Sequence, residues 1–181
     1  MRTLIDDLLQ YSQFLRTDVP RGVVDVERVA RAVLADLERD EGGPPDVELQ
    51  PLPAVWSGEG SLAVVLSNLI GNGLTFAREG VPPRVVVSCT RDGGLVVLQV
   101  DDNGIGIEPE YRERVFRMFQ RLHVREAYPG TGIGLAIVQQ VAESHGGRAW
   151  VEASPLGGCR FCVSLPPAPA GSSPDKRGAS T

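Results

Sequence analysis

The sequence predicts a two-layer α/β sandwich, a mixed sheet covered by helices on one face. Three observations carry this expectation. Residues 84–91 and 95–101 read as two strands joined by Asp92-Gly93-Gly94, a strong hairpin signal, so the sheet contains antiparallel pairs. Helical stretches fall between groups of strands rather than after every strand. The glycine motifs also miss the doubly wound pattern: the third glycine of GxGxxG would fall at Pro109 or Leu135, and Gly130 follows Tyr128-Pro129 instead of a strand.

The elements follow in order. In residues 1–16, Leu4, Ile5, Leu8, Leu9, Ser12 and Leu15 recur three and four apart, a stripe that wants a partner helix. Residues 17–22, with Asp18 and Pro20, form a linker. A short extended piece at 23–26 leads to an amphipathic helix over 26–39, built on Val29, Ala30, Val33, Leu34 and Leu37. After the turn at 41–46 come strands near 47–50 and 54–56. The helix over 61–78 turns Leu62, Val65, Leu66, Leu69, Ile70 and Phe76 inward and carries Asn68 and Asn72 four apart. Beyond the hairpin, a glycine loop at 102–107 precedes a short helix over 109–117. An irregular basic stretch, a helix over 131–145 and strands at 148–153 and 159–165 complete the domain of residues 23–166. Residues 167–181 read as a disordered Pro/Ala/Gly/Ser tail.

Composition removes several chemistries. The 181 residues hold 18 Lys+Arg and 23 Asp+Glu, and every cation is arginine except Lys176. A P-loop, a Ser/Thr/Tyr kinase and Schiff-base catalysis each need a lysine at the site, so none can be built here. His123 and His145 are too few for a His-rich metal site, and a net charge of −5 argues against a nucleic-acid partner. No run of about 18 apolar residues and no signal-peptide pattern occurs, so the chain reads as soluble and cytoplasmic, without membrane contact. Cys159 and Cys162 form a lone CxxC on an alternating strand, where residues three apart face opposite ways; they read as small packing residues.

Three pieces carry chemistry. Asn68 and Asn72 share a helix face, and a carboxamide oxygen is a neutral hard ligand that suits Mg²⁺ with its retained waters and substrate phosphates; two capping or surface asparagines are the alternative. Asp102-Asn103-Gly104-Ile105-Gly106-Ile107 follows a strand. An ionised carboxylate only accepts hydrogen bonds, so Asp102 can take the exocyclic amine of adenine while Gly104 and Gly106 let backbone approach the ring; an ordinary turn is the alternative. Gly130-Thr131-Gly132-Ile133-Gly134 opens a helix whose N–H groups favour an anion. Upstream, five arginines (112, 114, 117, 121, 125) face two glutamates (113, 126), a net +3 in an acidic chain, which suits a polyphosphate lid or a solvated basic face.

The order of these pieces resembles the catalytic ATP-binding domain of sensor histidine kinases, the Bergerat-type fold shared with Hsp90, MutL and type II topoisomerases. Asn68-Leu69-Ile70-Gly71-Asn72 resembles the N box, residues 102–107 the first glycine box, Phe116–Phe119 the F box and residues 130–136 the second glycine box. Residues 1–14 resemble the end of the second helix of the dimerisation hairpin, and residues 120–129 the lid of bacteriophytochrome-type kinases. The resemblance implies ATP and Mg²⁺ as ligands, Asn72 as the Mg²⁺ ligand and Asp102 as the adenine reader. It implies Arg121 as a γ-phosphate contact and Gly130, Thr131, Gly132, Ile133 and Gly134 as the phosphate cradle, with Phe76, Gly104 and Gly106 beside the nucleotide. Asn68 stands where ATP-hydrolysing members carry a glutamate base, and an amide cannot accept that proton usefully, so transfer to a protein acceptor is expected over hydrolysis.

Two departures stand out: Thr75 replaces the family's usual Lys and Gly73 its usual Ala. Loss of that cation predicts weak ATP binding or slow transfer unless Arg78 or Arg121 compensates. No His-Glu/Asp pair occurs upstream, so the phosphoacceptor is expected on a dimerisation domain outside this chain, in a homodimeric parent that passes phosphate to a response-regulator aspartate. A parent acting mainly as response-regulator phosphatase and a non-catalytic kinase-like binding module are the alternatives.

Overall fold

The computed structural model describes residues 12, 20–41, 45–118 and 131–172. Along the chain run β1 (Gly22–Val24), α1 (Val26–Glu41), β2 (Val47–Leu49), β3 (Val55–Ser57), α2 (Glu59–Thr75), β4 (Val85–Asp92) and β5 (Leu95–Asp102). Two 3-10 turns follow (Pro109–Tyr111, Arg114–Phe116), then α3 (Gly134–Ser144), β6 (Ala149–Ala153) and β7 (Cys159–Leu165). Five strands form one sheet in the order β2-β4-β5-β7-β6, and β1 pairs with β3 in a separate two-stranded ribbon. Only the β2–β4 pairing of the large sheet is parallel. The structure is thus the expected two-layer sandwich with a mixed sheet.

Period-two alternation decides which side chains meet the helices. Val85 and Val87 of β4, Val96, Leu98 and Val100 of β5, and Phe161, Val163 and Leu165 of β7 join Leu62, Leu66, Leu69 and Ile70 of α2 and Ile137, Val138 and Val141 of α3 in one buried cluster. Helix α1 packs on α2. Its start is fixed by the N-cap Asp25, whose Oδ1 accepts the amide of Arg28, the third residue of the helix (3.0 Å).

Four boundaries differ from expectation. Helix α2 stops at Thr75 because the Phe76 carbonyl accepts the Ile105 amide (3.0 Å) and φ −91°, ψ 41° turns Phe76 out of the helix. Helix α3 begins at Gly134, not 131, since Gly132 has φ +75°. The helix expected over 109–117 is two separate 3-10 turns: the Arg112 and Arg117 amides bond three residues back, and so short a segment cannot sustain an α ladder alone. The start of the stretch assigned by composition to the tail is paired to β3: next to Pro166, whose carbonyl accepts the Trp56 amide (2.9 Å), Pro167 bridges Val55. The prolines are tolerated because Pro166 supplies a carbonyl, while the amide used here is that of Ala168, which donates to the Ala54 carbonyl (3.5 Å). The helix expected over 1–16, apart from Ser12, which is helical, residues 17–19 of the linker expected over 17–22, and the tail beyond 172 lie outside the described residues, and Gly22 of that linker belongs to β1.

Candidate functional site

The chemistry-bearing residues gather along α2. At its C-terminal end, Gly73 lies against the end of β5: a Cβ there would sit 2.7 Å from Val85 Cγ2 and 3.2 Å from Asp102 Cβ. The departure from alanine is therefore steric, because Val85 fills the space a methyl would take. Phe76 then binds the glycine loop through its carbonyl, and Gly104 approaches that carbonyl so closely that a side chain would overlap it. Asn103 pins the loop from outside: its Oδ1 accepts the Arg84 amide and its Nδ2 donates to the Pro82 carbonyl, both at 2.9 Å.

Asp102 is 6 % exposed. Its Oδ1 accepts the Gly104 amide (2.8 Å) and the Cys159 amide (3.0 Å), and every hydrogen bond its carboxylate makes among the described residues falls on that one oxygen. Burial pushes its carboxyl above the ordinary carboxylate value, the two amides pull it back, neighbouring Asp101 pushes it up and Arg78 pulls it down. The second oxygen is left as an acceptor. Arg78 donates from Nε to the Gly104 carbonyl (2.9 Å) and from a terminal nitrogen to the Gly157 carbonyl, so this candidate replacement for the missing lysine is spent on backbone.

Toward the middle of α2, Asn68 Nδ2 donates to the Val64 carbonyl (2.8 Å), which aims Oδ1 at Gly134, the first residue of α3, where a Cβ would collide with it. Asn72, one turn along, makes no side-chain hydrogen bond among the described residues and is half-buried. Its free carboxamide oxygen is the kind of donor Mg²⁺ accepts beside waters and phosphates, so the residue fits that ion. Of the anion loop, Thr131, Gly132 and Ile133 precede α3, with Ile133 fully buried as an anchor. Gly130 and Arg121, and the stretch 119–130 that holds the second F-box phenylalanine, lie outside the described residues. Phe116 is buried edge-on to Phe161, with ring centroids 6.4 Å apart.

The structure thus brings Asn68 to the start of α3 and places Phe76, Asp102 and Gly104 at the other end of α2. The sequence shows a turn over 154–158 between the last two strands, but its part in the site was missed. The Gly158 amide donates to the Asp102 carbonyl (3.1 Å), and a Cβ on Gly158 would fall on Asp102 Oδ1 and the Gly104 amide. The available signal was the pair Gly157-Gly158 ahead of a strand. His145 is a packing residue: Nδ1 donates to the Val141 carbonyl (2.7 Å), Nε2 accepts from the Ser57 hydroxyl (3.2 Å), and burial lowers its pKa. All three cysteines are free, and burial pushes each thiol up to about 12, against a redox role for the CxxC.

A mixed sheet backed by helices, with a buried carboxylate at a glycine loop and a glycine-rich helix start facing one asparagine helix, defines a domain of the GHKL class. Residues 58–169 match the family described as histidine kinase-, DNA gyrase B- and HSP90-like ATPase, and the chain belongs to that family. It is 40 % identical over 167 residues to phytochrome-like protein Cph1 of Synechocystis, covering 92 % of this chain and 22 % of the relative, and 37 % identical to cyanobacterial phytochrome A of Nostoc with the same coverage. The chain therefore spans about a fifth of the length of these curated relatives. Among solved structures, full-length ShkA in complex with AMPPNP aligns over 93 % of this chain and 36 % of its own, with TM-score 0.74 and 29 % identity. The ATP-binding domain of PrrB from Mycobacterium tuberculosis aligns over 82 % and 98 %, with TM-score 0.64 and 30 % identity. The chain is a histidine kinase-type ATPase domain with phytochrome-like kinase relatives. Among the described residues, no helix is long and apolar enough to cross a membrane.

Proposed function

We propose that this chain binds Mg·ATP and transfers the γ-phosphate to a histidine on a dimerisation domain, for relay to a response-regulator aspartate. The observation that carries the reading is Asp102: a buried carboxylate with one oxygen fixed by two backbone amides and the other left as acceptor for the adenine amine. From Asn68 to Phe76 the helix runs about 12 Å, room for an extended nucleoside polyphosphate between the Asp102 loop and the α3 start. Asn72 would hold Mg²⁺, whose contribution is to neutralise phosphate charge. The α3 N-terminus, with Thr131, Gly132 and Gly134 before and in its first turn, would orient the phosphates by backbone N–H groups, and Gly130 and Arg121 would extend that cradle. Asn68, with its amide committed to Val64, offers no base for water, which favours transfer over hydrolysis.

His145 is buried with both ring nitrogens engaged, so the acceptor histidine is sought on the dimerisation domain of a homodimeric parent. Calorimetric titration with Mg·ATP tests the reading: the chain should bind, and Asp102→Asn should bind far more weakly. Equal binding by both proteins would sink it. Transfer is tested in trans with [γ-³²P]ATP and a separate histidine-bearing hairpin; label on the hairpin is expected, and release of phosphate to water alone would refute it. Thr75 in place of a cation, with Arg78 spent on carbonyls, also supports a parent biased toward regulator dephosphorylation, which loss of label from a phosphorylated regulator would reveal.

A further inference from the structure

We propose that Arg78 is a positioning residue for Asp102, a guanidinium strap that holds the Gly104 loop and the β6–β7 turn closed around the carboxylate and so sets nucleotide affinity without touching nucleotide. The inference rests on the nucleotide reading above. Its basis is a closed ring of contacts. The two amides that fix Asp102 Oδ1 belong to Gly104 and Cys159, on two segments far apart in sequence. Arg78 ties the same two segments together from their carbonyl side, through Gly104 and Gly157. Its guanidinium lies close against Gly157, where a Cβ would be 3.0 Å from a terminal nitrogen. Each loop thus donates inward to the carboxylate and accepts outward from the arginine.

No salt bridge links Arg78 to Asp102 among the described residues, so the guanidinium acts through the loops and through its field. The charged and titratable groups that Asp102 meets come from every neighbouring element: Asp101 on its own strand, Arg78 after α2, and the Cys159 thiol on β7, which Arg112 also faces. Arg78 is the cation in this set that acts on the Asp102 carboxylate, opposing the effect of burial. A planar fork suits two carbonyls on separate loops; an ammonium keeps the charge but not that geometry.

The test separates the two effects and the two claims. In the nucleotide-free chain, NMR of the Gly104 and Cys159 amide protons follows Asp102 through its titration. Arg78→Gln should move that titration to higher pH and weaken Mg·ATP about tenfold, the size of one hydrogen bond to a charged group. Arg78→Lys should hold the titration near wild type yet lose several-fold in affinity. Wild-type titration and affinity in folded Arg78→Gln overturn the strap, as does wild-type affinity in Arg78→Lys should the Gln variant fail to fold. If the unmodified chain binds no Mg·ATP, the nucleotide reading fails, while the amide titration still judges Arg78.

Discussion

Asp101 and Asp102 are neighbours in sequence and occupy opposite faces of the same strand end. Asp101 points away from the helices, where Arg160 donates to both its oxygens (2.9 to 3.1 Å) and the Ser154 hydroxyl to one (2.8 Å). Asp102 points toward α2 and receives only backbone amides, on one oxygen. Both are nearly fully buried. The difference is one of satisfaction: the first carboxylate is spent on protein side chains and holds β7 to β5, whereas the second keeps an oxygen in reserve. A buried acceptor held by amides alone is a binding group; one neutralised by an arginine is a structural group.

The change expected to break this contrast most severely is Gly158→Ala. Its methyl would fall on Asp102 Oδ1 and on backbone of both Asp102 and Gly104, atoms that cannot swing aside. A loss of about 3 kcal/mol or more in chemical denaturation is expected, with nucleotide binding lost alongside.

Next come the two carboxylates themselves, and they should fail in opposite assays. Asp102→Asn retains an oxygen for the Gly104 and Cys159 amides, so its melting temperature should hold or rise. Its Mg·ATP affinity should fall about a hundredfold, through loss of a charged acceptor. Asp101→Asn should keep nucleotide affinity and cost about 2 kcal/mol of stability, below the value for a fully buried pair because Arg160 keeps 27 % side-chain exposure. Matching losses in both assays for both variants would dissolve the distinction.

How much of this was legible follows from the range of the interactions. The Asp92-Gly93-Gly94 turn and the apolar stripes are local signals, and the β4–β5 hairpin and the three helices were read from them. Asp102 was found because a strand, a carboxylate and two glycines are contiguous. Its orientation relative to Asp101 was not, since parity along β5 depends on the register with β7, which pairs Asp101 with Arg160 across 59 residues. Arg78 and Gly158 act over similar separations and have no local signature. The early end of α2 escaped for the same reason: the Phe76 carbonyl is claimed by Ile105, 29 residues on. The 3-10 turns from Pro109 are local, and there a segment too short for an α ladder carries the same apolar spacing as a helix.

A smaller effect is expected beneath Asp102. Gly73→Ala forces a methyl to 2.7 Å from Val85 Cγ2, a side-chain atom that can yield in part, so a cost of about 1–2 kcal/mol is expected. Val85→Ala removes the obstructing methyls at its own cavity cost, and the double variant should be more stable than the sum of the singles. Strict additivity in urea denaturation would mean that helix and strand separate here without strain, and that the glycine answers some other constraint.

The smallest effect expected at this pair is the pH dependence of Asp102. Burial raises the folded-state pKa of Asp102 above its ordinary 3.8, so between those two values the folded protein binds a proton that the unfolded chain does not. The ionised carboxylate is therefore a stability cost, fully present above the folded pKa and relieved as pH falls through it, until below 3.8 none remains. Asp102→Asn removes the cost at every pH: its stability advantage over the unmodified chain should be greatest near neutrality and shrink steadily on acidification. Nucleotide affinity should fall over the same acid range, because the protonated carboxyl loses its charge. Asp101 pushes Asp102 upward, so Asp101→Asn should carry that acid limb to lower pH. An acid limb that stays in place in Asp101→Asn would mean that the two carboxylates, back to back on one strand, do not sense each other.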